Sequence, residues 1–377
     1  MSFEKYQRIL ILTGEVSGDM HGAHLLQNIL ELNPKAKVFA VGSDNLKAAG
    51  ATIIKDIVKK STIGFLETIK NIPTLLLLKR NLIKILKEQH IDLLICIDFQ
   101  GFNMIIAKKA KELGIPVAYY IPPQEWVWGS EKGMKNITEN TDKIVTIFKQ
   151  EHEAYKRFTN NVRFFGHPLT QIIAEAKESI TDTKQEYIAV FPGSRKQEIT
   201  YSFPEMVKIM ESLIKKENYK FIVNLPNIHF KSQVEAKLKH LKENIKITIG
   251  ETYTTLAKSK FALVTSGTIT LECLLMNVPH AIFYKFHPIS YPIIKNYLQN
   301  KFKFDNYSLT NILAGREIVP EYLQSFDTEE IANNLHQLMN NPSVLNNLKE
   351  EFTLISKQLS SKEDKKMLSE AAKYILG

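Results

Sequence analysis

Four short stretches of this chain combine residue types from which a chemistry can be built. In Pro192-Gly193-Ser194-Arg195, a glycine turn follows the apolar run Tyr187–Phe191. It precedes apolar residues at helical spacing: Phe203, Met206, Val207, Ile209, Met210 and Leu213. Small residues there let backbone amides approach an anion at a helix start, and the planar fork of Arg195 suits a phosphate. Taken alone, the pattern equally fits an ordinary strand-to-helix turn with an exposed arginine. A second such turn, Ser266-Gly267-Thr268, opens a helix that Ser266 or Thr268 can cap, with Glu272 one turn further on. A carboxylate at that place can accept both hydroxyls of a ribose while the turn supplies amides to phosphate. Two anion-friendly turns in one half of the chain point to a nucleotide diphosphate.

The other two stretches lie in the first half. Asp98 ends the near-continuous apolar run Ile91–Ile97, where a general base could stand at the carboxyl end of a buried strand. Its plainer reading is a turn or cap aspartate. Gly14-Glu15-Val16-Ser17-Gly18-Asp19 follows the first strand and is polar and acidic, better suited to sugar hydroxyls than to phosphate. Ser17 or Asp19 could equally cap the helix behind it. The loop is not GxGxxG, which argues against a nicotinamide cofactor.

These residues need strands to deliver them. Arg8–Thr13, Lys37–Val41, Ile91–Ile97, Val117–Ile121, Asp142–Ile147 and Val162–Phe165 read as strands of one α/β domain. Tyr187–Phe191, Lys220–Val223, Ile245–Thr248, Phe261–Thr265 and Ala281–Tyr284 read as those of a second. The polar stretch 169–186 joins them. Residues 306–324 read as loop, and Thr328 to Ile375 as helical throughout. The boundaries expected are 1–170, 171–345 and a C-terminal helical segment, 346–377.

A chain of 377 residues, 44% hydrophobic and 24% charged, has room for two globular domains. Its two cysteines, Cys96 and Cys273, lie in apolar runs without metal or disulfide spacing, which fits a reducing cytoplasm. The N-terminus lacks a signal-peptide core, and no apolar run is long enough for a membrane span. The net charge of +9 comes without an RNA-binding motif, zinc finger or basic tail, so nucleic acid is not expected as a partner. An anionic substrate or bilayer, or simply a lysine-rich surface, accounts for it. Ile63, Phe65, Leu66, Leu75 and Leu76, beside the basic Lys79 and Arg80, exceed what one buried helix stripe requires. An apolar surface fringed by basic residues is how a peripheral protein holds acyl chains or an anionic bilayer.

In their order the motifs resemble the lipid-A-disaccharide synthase family, GT-B glycosyltransferases of Gram-negative bacteria. The resemblance runs through Gly14-Glu15-x-Ser17-Gly18-Asp19, Gly64-Phe65-x-Glu67, Asp98 with Phe102-Asn103, Trp126-x-Trp128 and Gly166-His167-Pro168. It continues with Pro192-Gly193-Ser194-Arg195 and Glu198, Ser266-Gly267-Thr268 with Leu271-Glu272-Cys273, and Asn311 before Ala314-Gly315-Arg316-Glu317. The sequence departs from the pattern at Gln100 and Thr310, where the family has prolines, and at Gly129-Ser130-Glu131-Lys132.

The resemblance implies two facing Rossmann-like domains with parallel sheets and C-terminal helices that cross between domains or subunits of a homodimer. It implies an inverting transfer without metal or other cofactor. The donor, UDP-2,3-diacylglucosamine, would be held by Gly193, Ser194, Arg195, Ser266, Gly267, Thr268, Glu272 and Asn311. The acceptor, 2,3-diacylglucosamine 1-phosphate, would be held by Glu15, Ser17, Gly18 and Asp19. Asp98 and Arg195 would carry the chemistry, yielding the β-1,6-linked disaccharide 1-phosphate and UDP. The enzyme would work at the cytoplasmic face of the inner membrane, peripherally attached. The competing readings are a UDP-sugar 2-epimerase of the same architecture and a non-enzymatic nucleotide-binding membrane scaffold.

Overall fold

Short aliphatic and β-branched runs, most of them closed by a glycine or proline turn, pair into two all-parallel sheets. The computed structural model describes residues 3–58, 72–286, 291, 307–360 and 366–377. The first sheet contains β1 (Arg8–Leu12), β2 (Lys37–Val41), β3 (Thr52–Lys55), β4 (Leu93–Ile97), β5 (Val117–Tyr120), β6 (Lys143–Thr146) and β7 (Val162–Phe164). Their spatial order is β3-β2-β1-β4-β5-β6-β7. The second contains β8 (Tyr187–Phe191), β9 (Lys220–Leu225), β10 (Ile245–Ile249), β11 (Ser259–Thr265), β12 (His280–Tyr284) and β13 (Glu321–Leu323), in the order β10-β9-β8-β11-β12-β13.

Both sheets therefore run outward from their first strand in one direction and then reverse. The reversal lies between β1 and β4 in one sheet and between β8 and β11 in the other. In open α/β sheets such a switch point leaves a crevice at the carboxyl ends of the strands, because the connecting helices leave on opposite faces. β4 is buried along its whole length, which explains its unbroken apolar sequence. Register across the first switch pairs Leu12 with Cys96, so Thr13 and Asp98 leave the sheet close in step.

The chain divides into two compact units, Met1–Gln171 with Leu359–Gly377, and Ile172–Gln358. The first has a core around Leu10, Leu94, Ile106, Tyr119 and Tyr155. The second is built around Val190, Phe203, Phe221, Leu263 and Phe283. The last helix, Met367–Leu376, returns to the first unit, where it packs on the helix Val16–Leu32.

Some expectations are corrected. The edge strands β3 and β13 are short and half-exposed, so neither shows the apolar run that marks the inner strands. Residues 306–324 are not all loop: the helix Leu309–Ala314 and β13 lie within them. The C-terminal region is broken into the helices Thr328–Met339, Pro342–Leu359 and Met367–Leu376, the first ending before Asn340-Asn341-Pro342.

Candidate active site at the two switch points

At the first switch point β1 leads into Gly14–Asp19, and β4 leads into Asp98. Glu15 is the N-cap residue of the helix Val16–Leu32, and Ser17, half-buried, lies in its first turn. Gly18 is buried where a Cβ would stand 2.2 Å from Thr13 Oγ1, so only glycine lets this helix approach β1 so closely. Asp19 is buried and points away from its own helix start. Its oxygens accept the amides of Ser43 at 2.5 Å and Asn45 at 3.0 Å, the start of the next helix, Asp44–Ala48. Loss of hydration raises its carboxyl above the usual aspartate range, against the pull of those amides. In this position Asp19 braces the loop from behind.

Asp98 is half-buried, and its backbone is strained. Asp98 and Phe99 have φ of 46° and 48°, and Ile121, at the end of β5, has 59°. Non-glycine residues seldom adopt this left-handed conformation. Phe99 lays its ring over Gly14, where a Cβ would come within 2.5 Å of it. Asn103 and Tyr119 hold the strained peptide: the Asn103 amide and the Tyr119 hydroxyl reach the Asp98 carbonyl at 2.8 and 2.7 Å. Asn103 belongs to the quoted family motif, but nothing in the sequence showed what it holds.

Glu151, which no sequence motif marks, is fully buried at the start of the helix Lys149–Lys156. One of its oxygens accepts the Ile147 amide at 3.0 Å; the other, also buried, meets no hydrogen-bond partner. Burial pushes its carboxyl up to about 8, and the negative charge of Asp98 pushes the same way. The family motifs at Trp126 and His167 meet in the same unit. The Trp126 ring lies 5.8 Å from Phe148, Phe148 lies 5.2 Å from His167, and His167 lies 6.1 Å from His21. His167 is a packed residue whose Nδ1 accepts the Leu169 amide. The Trp128 and Gln100 side chains lie outside the described residues.

At the second switch point β8 leads into Gly193-Ser194-Arg195 and β11 into Ser266-Gly267. Gly193 has φ 109°, and a Cβ on it would stand 2.2 Å from Glu198 Oε2. That oxygen accepts the amides of Ser194 at 2.7 Å and Arg195 at 3.0 Å. These two amides are therefore engaged within the chain. The Arg195 side chain, half-buried, stands in the same turn. Glu198 begins a π-helical turn, Glu198–Ser202, ahead of the helix Phe203–Lys216. Such wide turns often mark functional sites. Here the turn brings the Ser202 hydroxyl to the Lys285 amide at 3.0 Å, tying the Arg195 segment to the end of β12.

Gly267, with φ 145°, is itself the N-cap of the helix Thr268–Leu275, and no side chain caps that end. This corrects the expectation that Ser266 or Thr268 does so. Glu272 is half-buried in the helix, and loss of hydration raises its carboxyl to about 7, although a hydrogen bond from Tyr253 counters the rise. Asn311 is wholly buried. Its amide donates to Val319 O and Glu321 Oε1 and accepts from the Ile318 and Val319 amides, so its side chain pins the segment leading into β13. Thr310, in place of the family's proline, joins the Thr270 carbonyl to His280, both at 3.2 Å.

In the helix Ile72–Glu88, Leu78, Leu82 and Leu86 face the core, whereas Leu76 and Leu77 are 55% and 59% exposed. Leu75 is half-buried against the core, Lys79 is half-buried and Arg80 is exposed. Ile63, Phe65 and Leu66, with the motif Gly64-Phe65-x-Glu67, lie outside the described residues. No described helix is long and apolar enough to cross a membrane. Among the described residues no three His, Cys, Asp or Glu side chains cluster closely enough to hold a metal ion.

The chain matches the family profile described as lipid-A-disaccharide synthetase over residues 9–375. It belongs to that family. A lipid-A-disaccharide synthase of Idiomarina loihiensis is 33% identical over 381 residues, which cover 95% of this chain and 96% of the relative. One of Geobacter sulfurreducens is 30% identical, over 94% of this chain and 93% of the relative. Among solved structures, a Neisseria meningitidis UDP-GlcNAc 2-epimerase bound to UDP-GlcNAc has a TM-score of 0.61 at 12% identity, covering 97% and 98% of the two chains. The calicheamicin glycosyltransferase CalG4 has 0.60 at 13% identity, covering 98% of each. These likenesses give the fold, that of GT-B proteins. The family makes the chain a glycosyltransferase of lipid A biosynthesis.

Proposed function

We propose that the enzyme transfers 2,3-diacylglucosamine from its UDP derivative to the 6-hydroxyl of 2,3-diacylglucosamine 1-phosphate, with inversion and release of UDP. The observation that carries this reading is the placement of the motif residues. Asp98 and the Gly14–Asp19 loop leave adjacent strands at one switch point, and Arg195 and Gly267 leave adjacent strands at the other. The first unit is then the acceptor unit and the second the donor unit.

A primary hydroxyl is a poor nucleophile at neutral pH. Asp98 takes its proton as it attacks the anomeric carbon, and negative charge grows on the departing diphosphate. The Arg195 guanidinium and the uncapped start of the helix Thr268–Leu275 stabilise that charge, while Glu272 accepts the ribose hydroxyls. Glu15 and Ser17 hold the acceptor sugar, Gly18 and Asp19 fix their loop, and Asn311 shapes the donor unit from within. Leu76, with Leu77, Lys79 and Arg80, meets the anionic bilayer from which both lipids come.

The test is mass spectrometry of the product from defined UDP-2,3-diacylglucosamine and 2,3-diacylglucosamine 1-phosphate. A β-1,6-linked tetraacyl disaccharide phosphate with stoichiometric UDP is expected. Epimerised UDP-sugar, or bound UDP without a product, would overturn the reading. Asp98→Asn keeps size but removes basicity. It should lower turnover by roughly two to four decades and leave UDP affinity near normal. Full activity in this variant would move the role of base to Glu15.

A further inference from the structure

We propose that Asn103 and Tyr119 are positioning residues for Asp98, holding its peptide in the strained conformation from which its carboxylate acts. The inference rests on the reading of Asp98 as the base. Consecutive left-handed φ values at two non-glycine residues are unfavourable and persist only where the surroundings over-determine them. Here they do. Asn103 is wholly buried, and its Nδ2 lies 3.3 Å from Leu12 O, 3.1 Å from Ile97 O and 2.8 Å from Asp98 O. One amide group thus spans the carboxyl ends of β1 and β4 and grips the first strained residue.

Tyr119, equally buried in the neighbouring β5, donates its hydroxyl to the same Asp98 carbonyl at 2.7 Å. On the other side of that residue the Asp98 amide donates to Ile121 O at 3.0 Å. The chain at Asp98 is therefore fixed from the helix behind it and from the strand beside it. Burial keeps both side chains from a substrate, so their effect on the reaction passes through Asp98. A loose carboxylate would meet the acceptor hydroxyl in the right geometry for only part of the time, and misplacement of a catalytic group is costly in rate.

Tyr119→Phe removes one hydroxyl and leaves the ring in its place. In the full-length enzyme we expect kcat to fall about tenfold, the size of one net hydrogen bond converted to rate, with UDP affinity unchanged. The decisive comparison repeats the substitution in an Asp98→Asn background. A residue that acts through the base adds nothing once the base is gone, so the second fall should be less than about twofold. Rates are read below the melting transition of each variant, and Asn103→Ser, which keeps a short donor, provides a second arm with the same expected pattern. A folded Tyr119→Phe enzyme with wild-type kcat, or one whose loss is equally large in the Asp98→Asn background, overturns the proposal. Wild-type turnover by Asp98→Asn alone instead overturns the reading of Asp98, and this clamp falls with it.

Discussion

Glu198 Oε2 lies 2.7 Å from the Ser194 amide and 3.0 Å from the Arg195 amide, so one carboxylate closes the turn that presents Arg195. Its approach also explains Gly193, where any side chain would meet that oxygen. The arrangement resembles half of a capping box, in which an acidic side chain reaches back to the amides at a helix start. In the function proposed above, the guanidinium is the group through which this turn meets the diphosphate.

Arg195→Ala should therefore abolish most turnover, because the departing diphosphate loses a charge-assisted contact worth a few kcal/mol. Arg195→Lys should recover only part, since a point charge lacks the fork. Glu198→Gln retains an acceptor for both amides and should keep most activity, whereas Glu198→Ala unmoors the turn and should approach the loss seen with Arg195→Ala. Steady-state kinetics of the four variants tests this ranking. An active Glu198→Ala enzyme would show that the turn holds Arg195 without the carboxylate.

Glu272 gives a pH prediction for the donor. Its carboxyl titrates near 7 in the folded chain, and ribose hydroxyls donate best to the ionised form. UDP affinity should rise with pH up to about 7 and level off above it. Isothermal titration from pH 6 to 8.5 reads this directly, and Glu272→Gln should make the curve flat. A wild-type curve already flat across that range would remove Glu272 from the ribose.

The inner strands were legible in the sequence because parallel strands buried on both faces must be continuously apolar, as Leu93–Ile97 and the run from Phe261 to Val264 are. The glycine turns that follow β1, β8 and β11 were legible for the same reason: Gly and Pro break such runs sharply. The edge strands lacked that signal. So did the engagements that decide what the motif residues do: Asp19 bracing Ser43 and Asn45, Glu198 filling its own turn, and Asn311 pinning the approach to β13. Each is a polar side chain meeting backbone groups, and those meetings have no periodicity to read. Glu151 left no trace either, because an acidic residue at a helix start ordinarily faces water.

Leu76 and Leu77 provide a test of the membrane reading that folding does not confound. Both are more than half exposed, so serine at these positions should leave the melting temperature nearly unchanged. Binding to vesicles containing anionic lipid should weaken, and reversal of Arg80 to Glu should weaken it further and reduce its salt sensitivity. Vesicle co-sedimentation unchanged in all three variants would leave this helix face without a membrane role.

Glu151 allows a prediction for stability. Its folded pKa, about 8, lies above the ordinary glutamate value of 4.5, so the folded chain holds a proton that the unfolded chain releases. The sign follows: the protein is least penalised at low pH, and stability falls as pH rises from about 4.5 until the folded carboxyl itself ionises near 8. Over that window the loss is on the order of a few kcal/mol. Glutamine mimics the protonated acid in size and cannot ionise. Glu151→Gln should therefore melt progressively higher than wild type as pH is raised from 6 to 8.5, with little difference near pH 5. If the two melting curves stay parallel over the whole range, Glu151 is ionised in the folded protein, and its buried, unpartnered oxygen must be satisfied by water.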